Sequence, residues 1–413
     1  MLKIVYPICC GIDVHKTFVV ACVAKTNDKN VTTYQSKRFS TFSKGLRELS
    51  EWLSSNSCKE VCMESTGKYW IPVFNILETT CNVCLAHPKY VKAIRGKKTD
   101  KKDAKWIADL FKHDLVNASF MPPPEIRQLR DLCRYRTKLT YMQSSEKRRT
   151  QDCLTVSNIQ LASVVSDTFG KSAQAIIDKI LENPLDTGFD IAPLIHGSMK
   201  SKIPDLELAV DGFITPTQAE KMKIIKQHFD SLQSCKLNLE GLIETLATPY
   251  QKQIDLLLTA PAINSRMTAI QIISEIGADM SKFPTPKHLC SWAGLTPQNN
   301  ESANKKKSVR ISRAGCYIKP LLVQCALAAS ASKTFPEIRN RYLNLKTRRG
   351  HKKAVIAVAR AILTAIWHML SDDEPYNASL YSHYNNLPIS REITEQQALA
   401  IIRRQGYILK SSA

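Results

Sequence analysis

The chain has 413 residues, 44% of them hydrophobic, and a formal net charge of +21. That length exceeds one ordinary domain and suits two or three, and that apolar fraction excludes wholesale disorder. A positive excess of this size implies a polyanionic partner, with nucleic acid favoured over an anionic membrane surface because no basic amphipathic helix with an aromatic face stands out. The apolar runs look short and interrupted, none reaching the roughly 18–20 residues of a membrane span. The first residues carry no charged leader before a long apolar stretch, so no secretion signal is expected. The 13 cysteines are odd in number and lie mostly in apolar segments, a reduced, intracellular pattern. Cys58, Cys62, Cys81 and Cys84 imitate a four-cysteine zinc site, but residues three apart on a strand face opposite ways, so these read as small core residues.

In chain order, residues 9–14, 18–24 and 32–39 read as three strands joined by tight turns. Ser43 is the expected cap of an amphipathic helix that places Leu46, Leu49, Trp52 and Leu53 on one side. Residues 60–64 form a strand, 68–80 a helix and 82–86 another strand, with short helical segments to Leu115. Three hairpin strands followed by alternating helix and strand match the order of a ribonuclease-H-like fold, giving an α/β domain over residues 1–120.

Met121-Pro122-Pro123-Pro124 marks a boundary. Residues 126–167 read as one long basic helix and 217–248 as a second, together a helical hairpin or coiled-coil arm over 126–250. Residues 170–216 between them read as irregular. A mostly helical domain with two basic loops is expected over 251–372, and a tail over 373–413 with one helix, capped by Thr394 and Gln397 and stopped at Gly406.

Four carboxylates carry the chemistry. Asp13 ends the first strand in Gly11-Ile12-Asp13-Val14-His15-Lys16, and Glu64 ends a later one in Met63-Glu64-Ser65-Thr66-Gly67. Asp100 and Asp103, three apart at a helix start, share a face. Four hard oxygen ligands at one edge suit Mg²⁺, and a pair of such ions can stabilise the attacking and leaving oxygens at a phosphodiester. Lys97, Lys98, Lys101, Lys102 and Lys105 would hold a nucleic-acid backbone. Spacing alone leaves another account open: Asp100 and Asp103 as charge partners of a helix N-terminus, Asp13 as a turn residue.

These three motifs resemble those of the insertion-sequence-110 transposases, named for an Asp-Glu-Asp-Asp set in a RuvC-like domain, and the likeness continues after position 250. The resemblance implies that Asp13, Glu64, Asp100 and Asp103 bind Mg²⁺. It implies a DNA recombinase that acts as a homo-oligomer, a dimer or tetramer, guided by a structured non-coding (bridge) RNA that pairs with donor and target DNA. Such a protein is expected in the cytoplasm, associated with the nucleoid when bound to DNA, with no membrane partner. Residues 283–297 resemble the start of the family's second catalytic region. In the basic loop that follows, Ser302 matches the family's serine nucleophile, with Lys305, Lys306, Lys307 and Arg310 as nearby cations; Ser308 is the competing position. Ala303 stands where the family commonly has glycine, and Ala262 and Asn264 stand where a glycine-containing hairpin is expected. Arg348, Arg349, Lys352 and Lys353 form a second basic turn suited to phosphate. The rivals are a RuvC-like nuclease that cuts branched DNA with water, and a non-catalytic nucleic-acid-binding relative.

Overall fold

The computed structural model describes residues 2–65, 67–91, 99–184, 188–298, 300–302, 305–308 and 310–380. The chain divides into two compact units, Met1–Met121 and Pro122–Ala413. The first is mixed α/β and the second mostly helical.

In the first unit β1 (Ile8–Val14), β2 (Phe18–Thr26) and β3 (Thr32–Ser40) form a meander, followed by α1 (Ser43–Ser55), β4 (Glu60–Glu64), α2 (Trp70–Leu77), β5 (Asn82–Ala86), α3 (Pro88–Val91) and α4 (Asp100–Lys112). The five strands lie in the order β3-β2-β1-β4-β5. The first three pair antiparallel, whereas β1 with β4 and β4 with β5 are parallel. The period of two along each strand sorts side chains onto two covered faces. Cys10, Ile12, Val61, Met63 and Leu85 pack with Leu46, Leu49 and Leu53 of α1 and Val73, Phe74 and Leu77 of α2. Cys9, Cys62 and Ala86 pack on the other face with Ile107, Ala108 and Phe111 of α4. Ser43 is the first residue of α1, not its cap; Phe42 holds the cap position without a side-chain hydrogen bond. The four cysteines that imitate a zinc site divide between the faces, Cys58 and Cys81 in one core and Cys62 and Cys84 in the other. All thirteen cysteines are free thiols.

In the second unit α5 (Pro124–Val156) and α9 (Pro216–Ala247) run antiparallel. Arg136 pairs with Glu240, and His228 Nδ1 lies 3.0 Å from Glu146 Oε1. The helix expected to reach residue 167 stops at Val156, because Asn158 adopts a left-handed backbone, φ 54°, that a helix cannot continue through. Residues 170–216 are not irregular. They contain α7 (Lys171–Glu182) and α8 (Ile203–Val210), which follow the short α6 (Leu161–Val164). Ile176, Ile177 and Ile180 of α7 and Leu206 and Val210 of α8 bury with Leu154 of α5 and Met222 of α9 in one apolar cluster.

The remainder comprises α10 (Gln251–Leu258), α11 (Arg266–Ile276), α12 (Pro286–Trp292), the hairpin β6 (Asn300–Ser302) and β7 (Lys305–Ser308), then α13 (Ile318–Ala331), α14 (Pro336–Arg349) and α15 (His351–Asp372). The expectation that no segment has the length and composition of a membrane span fails for α15, whose 22 residues include a window of mean hydropathy 1.7. The stretch reads as interrupted in sequence because Arg360 divides it. It is a core helix: Val358, Ala359, Ile362, Leu363 and Ile366 are buried. The helix expected at 394–406 lies outside the described residues.

Candidate active site

Backbone register brings the acids of the first unit together. The parallel pairing of β1 with β4 ends at Ile12 opposite Met63, so the next residues on the two strands are Asp13 and Glu64. Ile12 and Met63 belong to the core on the α1–α2 side, and alternation turns Asp13 and Glu64 to the face that α4 covers. The helix is seated there by Gly11. A Cβ at this position would come within 2.3 Å of Ala104 O and Ala108 N, so only glycine lets the helix backbone lie this close to the strand. Cys9 Sγ donates to Ala108 O at 3.6 Å, and Ala108 therefore marks where the helix passes the start of the strand. Ascending the strand from Cys9 through Gly11 to Asp13 means descending the helix from Ala108 through Ala104 to Asp100. Asp100 thus reaches Asp13 because both lie one step further along this shared line.

Thr99 caps α4, its side chain accepting from Lys102 N, and fixes the first turn that carries Asp100 and Asp103. His15 sits between two of the acids. Its Nε2 lies 3.1 Å from Asp13 Oδ2 and 3.5 Å from Asp100 Oδ1. Burial pushes the Asp13 carboxyl above its ordinary range, His15 pulls it down, and the negative charges of Asp103 and Asp100 push it up. A half-buried carboxylate opposed by like charges is relieved by a cation. The donor set also fits one: hard carboxylate oxygens suit Mg²⁺, and Asp13, His15 and Asp100 offer ligand atoms within 4.8 Å of one another.

Of the lysines around these acids, Lys101 and Lys102 belong to the first turn of α4, where Lys101 is exposed. Lys105 Nζ instead lies 3.9 Å from the Tyr34 ring centroid. Lys97 and Lys98 lie outside the described residues.

In the second unit the hairpin pairs Ser302 with Lys305 at its tip and Asn300 with Ser308 at its base. Below it, a bridge joins Pro297 to Ile311, and Gln298 N donates to Arg310 O. Ser302, Lys305, Lys306 and Lys307 therefore belong to a two-stranded hairpin between α12 and α13; Ala303 lies outside the described residues, and Arg310 is exposed. Arg348 and Arg349 end α14 and Lys352 and Lys353 begin α15, all four exposed around Gly350. Of the two positions where glycine was expected, Ala262 has φ 59° between α10 and α11, whereas Asn264 has no positive φ.

His15 is the site residue to which the sequence motifs assign no part. Its signal is the spacing Asp13-Val14-His15, which puts residues two apart on one side of an extended chain.

Residues 10–159 match the DEDD model of the IS110 group, described as "Transposase". Residues 254–343 match the model described as "Transposase IS116/IS110/IS902 family". The chain is 30% identical over 128 residues to "Insertion element IS900 uncharacterized 42 kDa protein" of Mycobacterium paratuberculosis, covering 30% of this chain and 31% of that one. It is 29% identical over 113 residues to "Transposase for insertion sequence element IS1111A" of Coxiella burnetii, covering 27% and 31%. These two likenesses thus span about a third of each relative's length. A third, to "Pilin gene-inverting protein" of Moraxella bovis, is 22% identical over 390 residues, 90% of this chain and 98% of that one. Both family models are of transposases, and two of the three relatives belong by name to insertion elements. The chain belongs to the IS110 family.

Proposed function

We propose that the chain is a DNA transposase or recombinase that cuts and rejoins DNA by phosphodiester transesterification. The first unit is read as a ribonuclease-H-like, RuvC-like catalytic domain over residues 1–120. The α5–α9 hairpin is read as a coiled-coil arm over 126–250, residues 251–372 as a transposase domain bearing the nucleophile, and 373–413 as a tail. The observation that carries the reading is the shared face of Asp13 and Glu64, with Asp100 reaching it from α4.

Asp13, Glu64, Asp100 and Asp103 would hold Mg²⁺, which supplies Lewis-acid stabilisation of charge at the phosphate. The Ser302 hydroxyl forms the new O–P bond as the DNA strand's own oxygen leaves phosphorus, giving a covalent phosphoserine and a free strand end. Reversal of the same exchange with another strand rejoins the DNA and releases the serine. Lys305, Lys306, Lys307 and Arg310, in and beside the hairpin, supply positive charge for the phosphate. Lys101, Lys102, Arg348, Arg349, Lys352 and Lys353 bind the backbones of DNA or of a guiding non-coding RNA, in keeping with the net charge of +21. By its family, the working form is a homo-oligomer, a dimer or tetramer.

The test is to trap the intermediate on a suicide DNA carrying the element's own end, with the transcript of its flanking non-coding DNA and Mg²⁺, and to map the modified peptide. A DNA-linked Ser302 is expected, absent from Ser302→Ala, and Asp13→Asn should give no cleavage. An adduct at Ser308, or full strand exchange by Ser302→Ala, overturns the nucleophile assignment. Cleavage with no adduct favours water as the nucleophile.

A further inference from the structure

We propose that His15 is a nitrogen ligand of the acidic site, making it a mixed nitrogen and oxygen set that holds Mn²⁺ in preference to Mg²⁺. The proposal rests on reading Asp13, Glu64, Asp100 and Asp103 as the cation-holding groups. Two adjacent ligands of an octahedral ion, each about 2.1 Å from it, lie about 3.0 Å apart. His15 Nε2 stands at 3.1 Å from Asp13 Oδ2 and 3.5 Å from Asp100 Oδ1, close to the separations such a shared ion requires. The same nitrogen is the one turned to the acids, so the ring presents the correct atom without a flip.

The ring is also held in place. His15 N donates to Phe18 O across the β1–β2 turn at 2.9 Å. The imidazole lies on the Phe18 ring, with centroids 4.5 Å apart and planes 30° apart, and the Arg38 guanidinium lies 3.6 Å from the same Phe18 ring. A side chain fixed at its backbone and against a neighbouring ring loses little entropy on ligation. The chemistry then selects the ion. Mg²⁺ takes oxygen ligands and keeps several waters; Mn²⁺ also favours oxygen and is the weakest binder of the first-row divalent ions, but it accepts an imidazole more readily than Mg²⁺ does.

The experiment is Mn²⁺ titration of the full-length chain followed by electron paramagnetic resonance, with Mg²⁺ as competitor and circular dichroism as the folding control. Bound Mn²⁺ in the unaltered protein should show spin-echo modulation from a coupled nitrogen. His15→Ala and His15→Gln should lose that modulation and bind Mn²⁺ about tenfold more weakly or worse, while Mg²⁺ affinity changes much less. Mn²⁺ bound to the unaltered chain without nitrogen modulation, or held equally by folded His15→Ala, overturns the proposal and leaves His15 a hydrogen-bond partner of the acids. If the unaltered chain binds neither ion, the reading of the carboxylates fails with it. The nitrogen signal is read on the unaltered chain, so a variant that does not fold leaves the proposal testable.

Discussion

The acidic edge of the sheet and the turns of the helical unit place their polar side chains by different means. Asp13, Glu64 and Asp100 are located by backbone packing that leaves no slack: a parallel register and a helix laid directly on Gly11. Ser302 rides on a short hairpin, and the four cations around Gly350 stand exposed at a helix–helix turn. A cation bound by several hard ligands demands that they converge before it arrives. A nucleophile or a phosphate-binding side chain needs only to meet a substrate that brings its own geometry. The difference teaches that the acids proposed to share an ion are set by close packing of strand and helix, whereas the hydroxyl and the cations proposed to meet a polymer sit on a hairpin and a helix–helix turn.

The largest expected effect breaks the rigid half. Gly11→Ala puts a methyl where Ala104 O and Ala108 N would be 2.3 Å away, and backbone atoms cannot swing aside. The helix must lift, at a cost of about 3 kcal/mol in stability, and Asp100 and Asp103 lift with it. Urea unfolding and Mn²⁺ binding should fail together. Unchanged ion binding in a destabilised Gly11→Ala would show that packing of α4 is not what positions the acids.

The convergence of these acids is partly legible in the sequence. Strands 9–14, 60–64 and 82–86 have the short apolar character of buried strands, so Asp13 and Glu64 at strand ends can be read directly. The pairing of β1 with β4 rests on fold analogy, since nothing local in either strand names its neighbour. The close approach at Gly11 is hidden for the same reason: a glycine in a strand says that space is short, not what fills it. Residues 170–216 read as irregular because loops and 3-10 turns separate α7 from α8, though Ile176, Ile177, Ile180 and Leu181 carry a helical spacing. The end of α5 is hidden because apolar residues continue at helical spacing past Val156, and a single left-handed Asn158 leaves no mark on that pattern.

An intermediate effect sharpens the other half. Replacing Arg348, Arg349, Lys352 and Lys353 together by Ala should leave stability nearly unchanged, because these side chains are exposed and, among the described residues, form no ion pair with a carboxylate. Nucleic-acid affinity should fall, and the slope of log K against log salt should flatten by about 0.9 for each phosphate of duplex DNA that is no longer neutralised. Filter binding of duplex DNA over a series of salt concentrations reads it. An unchanged slope would make the cluster a solvated turn.

The smallest effect tests whether the helical unit tolerates looseness that the sheet does not. Ala262 holds φ 59° in the turn between α10 and α11, where Ile263 N donates to Ala260 O at 3.2 Å. For an alanine the left-handed region costs roughly 1–2 kcal/mol, from its Cβ crowding the following carbonyl. Glycine removes that strain but gives the unfolded chain more freedom, which returns part of the gain. Ala262→Gly should therefore stabilise the protein by a net of about 0.5–1 kcal/mol, seen as a higher urea midpoint with an unchanged slope. The two exchanges run in opposite directions: adding a methyl at position 11 should break the protein, and removing one at position 262 should strengthen it. At Gly11 the methyl meets another element's backbone; at Ala262 it opposes only its own. A midpoint that falls in Ala262→Gly would mean that the methyl's packing outweighs the strain, and the turn would then belong with the rigid half of the comparison.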